Sequence, residues 1–144
     1  DPQNSVHLRS YDATPEIWHN ADIEAKWTTI RQVRQVVMSA LEKARNDGAI
    51  GASLQAAPLV YVTADMQTAF AGQDAASLFI TSAATITTDT PTVDAFRLDT
   101  VADVAVGFAA ATGDKCARCW KVMPEVSGPD GICKRCKDVV ATLA

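Results

Sequence analysis

All four cysteines of the chain, Cys116, Cys119, Cys133 and Cys136, lie close together in the sequence, as two C-x-x-C pairs with thirteen residues between them. Two intervening residues allow a tight turn that points both thiolates of a pair at one cation. Two such knuckles brought together make a tetrahedral site of four sulfurs. That geometry suits a structural Zn²⁺, at about 2.3 Å per Zn–S bond. The spacing is slightly shorter than the usual C-x₂-C-x₁₅₋₂₀-C-x₂-C arrangement and keeps its logic. With all four positions filled by protein, no position is left for an activated water. The ion would hold the fold together and not catalyse.

Other chemistries use the same residues. Two disulfides would need an oxidising compartment, and no charged-then-apolar leader marks the start of the sequence. A redox C-x-x-C normally opens a helix after a strand, and two facing copies suit a metal better. Iron in a rubredoxin-like site takes the same four sulfurs, and ligand type alone leaves it open. The rest of the sequence holds no Ser-His-Asp set, no P-loop and no G-x-G-x-x-G. His7 and His19 have no ligand spacing to each other or to the cysteines, so both are expected to be structural or solvent-facing. The chain shows no active site of its own.

At 144 residues, 48% of them hydrophobic, the chain can bury a real core in one domain with an appendix. Only 21% of residues are charged, which argues against broad disorder. No apolar run approaches the roughly 18–20 residues that span a bilayer. The chain opens Asp-Pro-Gln-Asn without a Met, as a piece of a longer or processed protein would. Net charge is −4, which argues against a general nucleic-acid binder. Its distribution is uneven. Residues 115–137 hold six basic side chains (Lys115, Arg118, Lys121, Lys134, Arg135, Lys137) against Glu125 and Asp130. That stretch is therefore +4 and the remainder −8. A small basic head on an acidic body can meet a phosphate backbone locally. The same residues would also solubilise a small module and balance its thiolates.

The elements that must carry this head can be read from the periodicity. Residues 1–21, broken by Pro2 and Pro15, look like a connector whose Val6, Leu8, Ile17 and Trp18 could strap onto a neighbour. Asn20 or Asp22 can cap a helix running to about Asn46. Its apolar stripe is Ile23, Trp27, Ile30, Val33, Val37, Leu41 and Ala44, with Trp27 expected in the core. Asn46-Asp47-Gly48 ends it. Residues 54–63 suggest a strand, with Pro58 marking an edge or a bulge. Asp65 and Asp74 can cap short helices. Residues 80–88 and 101–109 suggest further strands, 96–99 are ambiguous, and 139–144 suggest a closing helix. The fold class expected is α+β: a long N-terminal helix, a small mixed sheet with short helices, and a C-terminal Cys₄ zinc ribbon. The organisation expected is a connector at 1–21, an α+β domain at 22–112 and the ribbon at 113–144.

Two segments carry a resemblance. ALEKARNDGAIGASLQA at residues 40–56 resembles the segment after the anticodon-binding helix bundle of bacterial isoleucyl-tRNA synthetases. Asp-Lys-Cys-x-Arg-Cys-Trp at 114–120 and Ile-Cys-x-Arg-Cys at 132–136 resemble the same enzymes' C-terminal zinc module. SVHL at 5–8 resembles their connector out of the bundle. The likeness covers nearly the whole chain, although residues 58–98 match only in pattern.

The resemblance implies a cytoplasmic, monomeric class I ligase as parent, joining isoleucine to its tRNA with ATP. The family's His-Ile-Gly-His and Lys-Met-Ser-Lys-Ser signatures and its editing domain are not in this sequence. This segment would grip the anticodon end of the tRNA and pack on the parent's upstream domains. Cys116, Cys119, Cys133 and Cys136 would hold Zn²⁺. Trp120 would either stack on a base, for about 1–3 kcal/mol, or shield the metal from water. Arg118 and Arg135 would pair with phosphate or stay structural. Lys115, Lys121, Lys134 and Lys137 would add phosphate attraction. The competing readings are the DNA-gripping zinc-finger end of a DNA-repair glycosylase, a rubredoxin-like electron carrier, and a packing module that never touches RNA.

Overall fold

The computed structural model describes residues 5–128 and 131–143. Residues 1–4 of the expected connector, Asp130 of the charge count and Ala144 of the expected closing helix lie outside them. Helix α1 (Ala21–Asn46) is the longest element. The Asn20 side chain accepts from the Ile23 N–H and so caps it. At the other end Gly48 takes the left-handed conformation (φ 75°), and Ala49 N–H donates to the Ala44 carbonyl. The chain can leave the helix there without the strain a Cβ would bring.

A four-stranded mixed sheet, in the order β2-β1-β4-β3, lies against α1. Its strands are β1 (Leu59–Tyr61), β2 (Thr85–Thr87), β3 (Phe96–Leu98) and β4 (Val101–Gly107). β1 and β2 are parallel, so a crossover must join them. Helices α2 (Ala64–Ala69) and α3 (Ala75–Phe79) supply it. β4 runs antiparallel to both β1 and β3. On the helix-facing side, Val60, Val62, Val101, Val104 and Val106 meet Ile30, Val33, Val36, Val37 and Leu41 of α1. Phe70 and Phe79 close the core with ring centroids 5.8 Å apart. Asp103 holds φ at 62° where the β3–β4 register shifts, which puts both Val101 and Val104 on the core side. A second hairpin, β5 (Asp114–Lys115) with β6 (Val122–Met123), is followed by helix α4 (Lys134–Ala141). The fold is α+β, as the periodicity indicates. No helix among the described residues is long and apolar enough to cross a membrane.

Several details differ from expectation. Trp27 is 37% exposed and Ile23 55%; the buried face of α1 begins only at Ile30. Val36 and Ala40 take part in the core instead, so the stripe is wider and lies nearer the helix's C-terminal half. β1 is central and not an edge; Pro58 is buried just before it, where no ladder donor is lost. Residues 53–55 form a 3₁₀ turn and not the start of a strand. Thr63, not Asp65, caps α2, its hydroxyl accepting from Met66 N–H. Asp74 does cap α3, and the Ser77 bonds that do so lower its pKa. Ile80, expected in a strand, is the left-handed exit of α3 (φ 56°). Helix α4 begins at Lys134, five residues before the expected start.

The exposure pattern sets a contrast in stability. Leu41→Ala should lower unfolding free energy by about 2–5 kcal/mol, whereas Trp27→Ala should cost no more than about 0.5 kcal/mol. Urea denaturation followed by circular dichroism measures both. Similar losses would place Trp27 in the core after all.

Candidate metal centre

The ribbon hairpin begins at Gly113. Its φ is 106°, and a Cβ there would fall 2.2 Å from the Met123 carbonyl oxygen. Only glycine lets β5 approach β6 this closely. After β5 the chain turns through Cys116, Ala117, Arg118 and Cys119. Trp120 N–H donates to the Cys116 carbonyl at 3.0 Å, and Cys116 N–H to the Lys121 carbonyl at 2.9 Å. These bonds close the first knuckle. The second is built at the start of α4, where Cys133 is the N-cap and Cys136 lies one turn in. Glu125 accepts from Lys134 N–H at 2.9 Å and so satisfies one free donor of that helix end.

The four sulfurs converge. All lie within 4.8 Å of one another. Cys116 and Cys136 are 3.8 Å apart, and Cys119 and Cys133 3.7 Å. Four sulfurs at about 2.3 Å from a tetrahedral centre sit about 3.8 Å from each other, so the donor set fits one such ion. These separations are well beyond a disulfide's roughly 2.05 Å. Cys116, Cys133 and Cys136 are buried and Cys119 half-buried. Val126, Met123 and Ile132 pack around them.

The thiols are not equivalent without an ion. Burial opposes ionisation of Cys116, but the N–H groups of Cys119, Cys133 and Arg118 aim at its sulfur and bring its pKa down to about 5. Burial pushes Cys136 up to about 12, reinforced by hydrogen bonds with the other three sulfurs and partly relieved by the Arg118 side chain. Burial also raises Cys119. One thiolate is thus prepared by backbone donors, while others hold their protons until a cation displaces them.

The residues expected to touch RNA surround this centre unevenly. Trp120 is 60% exposed and has φ 67°, the left-handed region. Lys115, which the sequence marks only as one more basic side chain, stands over its ring with Nζ 5.2 Å from the centroid. The two side chains line both a groove of about 490 Å³ with Asp114, Ala117 and Gly128 and one of about 280 Å³ with Gly51, Ala52, Leu54, Gln55 and Val122. The two motif-bearing segments of the sequence therefore meet in space. Arg118 and Arg135 are exposed and Lys121 half-exposed. Lys134 is exposed but pairs with Asp138 at 2.6 Å, which raises its pKa.

No family model matches the chain. It is 46% identical over 123 residues to the isoleucine–tRNA ligase of Agrobacterium fabrum, an alignment covering 85% of this chain and 13% of that protein. It is 43% identical over 136 residues to that of Ruegeria pomeroyi, covering 92% and 14%. The chain belongs to the isoleucine–tRNA ligase family. A third relative, the isoleucine–tRNA ligase of Brucella abortus, is 37% identical over 145 residues and extends the match to 93% of this chain. The chain spans about one-seventh of the length of the curated relatives it matches.

The raised thiols give a direct test. Loading one divalent ion at pH 7 should release at least two protons, those of Cys119 and Cys136. Titration calorimetry in buffers of different ionisation enthalpy counts them. Metal affinity should fall as pH is lowered, because protons compete for the same sulfurs. Binding without proton release would mean that the four thiols are not the ligands.

Proposed function

We propose that the chain is the C-terminal tRNA-gripping part of an isoleucyl-tRNA synthetase, with one structural Zn²⁺ on Cys116, Cys119, Cys133 and Cys136. The whole protein would be a cytoplasmic monomer that joins isoleucine to its tRNA with ATP, its catalytic and editing sites lying in other domains. The ion supplies no reaction chemistry in this reading; it holds the two knuckles together. The connector at 1–21, the body at 22–112 and the ribbon at 113–144 would act in series, carrying the ribbon to the anticodon end of the tRNA. The exposed Val6, Leu8, Ile17 and Trp18 offer apolar contacts to the upstream domains.

The observation that carries the reading is the conformation of Trp120. The turn after the second cysteine needs a positive φ, which glycine adopts freely. A side chain there costs about 1–2 kcal/mol. The chain instead holds its largest side chain there and leaves most of it in water. A shield for the metal would be buried. An exposed indole flanked by Lys115 suits an unpaired base, whose stacking offsets the strain by about 1–3 kcal/mol. Arg135 and Lys121 can meet the neighbouring phosphates. Lys134 can exchange Asp138 for phosphate, since an ion pair this exposed to water contributes little. Arg118 serves the centre as well, because its side chain eases ionisation of the Cys136 thiol.

Trp120→Gly separates stacking from shielding. In the zinc-loaded full-length synthetase it should raise KM for tRNA about ten-fold, leave kcat for amino-acid activation unchanged, and keep the zinc. An unchanged KM would refute the stacking role. Loss of zinc would make Trp120 a shield.

A further inference from the structure

Ribbon and body have separate cores. Cys116, Val126, Cys133 and Cys136 form one cluster, and the residues between α1 and the sheet form another. The chain approaches the ribbon through residues 109–111, which are fixed to the body. Ala57 N–H donates to the Ala109 carbonyl at 2.8 Å, and Ala111 N–H donates to the Gln55 carbonyl at 2.8 Å. Beyond that point the peptide linkage would leave the hairpin free to swing about Thr112 and Gly113.

A side-chain hydrogen bond opposes this. Ser82 is 8% exposed, and with Thr81 it is one of the two buried polar residues among those described. Its backbone N–H donates to the Ala56 carbonyl at 3.2 Å, which fixes the residue to the body. Its hydroxyl donates to the Leu54 carbonyl and accepts from Val122 N–H at 2.7 Å. The single hydroxyl proton and one lone pair are both used, so the group bridges the body's 3₁₀ turn and strand β6. Among the described residues this is the one side-chain hydrogen bond that links body and ribbon. Val122 is two residues from Trp120, and it lines the smaller groove with Trp120, Lys115 and the 51–55 loop.

We infer that Ser82 is a positioning residue: its hydroxyl sets the angle of the metal ribbon on the body, and so places the Trp120 ring beside the 51–55 loop for RNA. The inference rests on the tRNA reading above. The hydroxyl touches neither metal nor RNA and acts through the Val122 amide. Removing it leaves the Leu54 carbonyl and the Val122 N–H unpaired in a mostly buried place. The four sulfurs stay as they are, because their own bonds lie within the ribbon.

The test compares zinc-loaded Ser82→Ala and Ser82→Thr with the unaltered protein. Hydrogen exchange should show Val122 N–H losing protection in Ser82→Ala, while Cys116 N–H, bonded within the ribbon, keeps it. Zinc content should remain one ion per chain. In the full-length synthetase KM for tRNA should rise about three- to ten-fold with kcat preserved, and Ser82→Thr, which keeps the hydroxyl, should restore it. If Trp120→Gly weakens tRNA binding and Ser82→Ala does not, the positioning role is wrong while the RNA reading stands. If neither does, the RNA reading fails and takes this inference with it, even where Val122 exchange changes. If Ser82→Ala sheds zinc or unfolds, the hydroxyl holds the fold itself and the positioning role is overturned.

Discussion

Four sulfurs held within 4.8 Å of one another are the constraint on which the ribbon depends. Among the described residues no large apolar side chain stands at its centre; Val126 and three cysteines form its buried cluster. A module of about thirty residues cannot bury enough surface to fold on that, and segments this short usually need a metal or disulfides. Without a cation, burial keeps Cys136 and Cys119 protonated. An ion bound there would replace those protons and become the core. The left-handed turn at Trp120 and the early start of α4 just after Cys133 follow from closing the two knuckles.

The body obeys a different rule. Its core is apolar, with the valines of α1 against those of β1 and β4. It offers the ribbon a mount: the 3₁₀ turn after α1, the buried Ser82 and the strapped segment 109–111 all gather at the edge where the ribbon begins. The segment that most resembles the synthetases in the body therefore lies beside the segment that most resembles them in the ribbon. Two motifs far apart in sequence share one groove. That juxtaposition gives a physical reason for the two motifs to occur together in one chain.

The parts legible in the sequence were those set by local chemistry. The cysteine spacing pointed to the four-sulfur cluster because two-residue gaps constrain backbone turns directly. The Asn20 cap and the Gly48 exit of α1 are single-residue effects and lie where the pattern puts them. The parts that were not legible depend on tertiary surroundings. Ile23 and Trp27 continue the stripe perfectly well, but burial along α1 begins only at Ile30. Residues 54–63 and 80–88 have β-rich composition, yet each forms a strand of only three residues, and the 3₁₀ turn and the exit of α3 occupy the start of each stretch. The ring contact of Lys115 and the bridging hydroxyl of Ser82 gave no signal at all. The first is made across the hairpin, and the second reaches an amide forty residues away.

Zinc K-edge absorption on the purified protein tests the central claim most directly. The account predicts one zinc per chain with four sulfur neighbours at about 2.3 Å. Nitrogen or oxygen in the first shell would contradict it. So would a metal-free chain that keeps the same fold between Gly113 and Ala141.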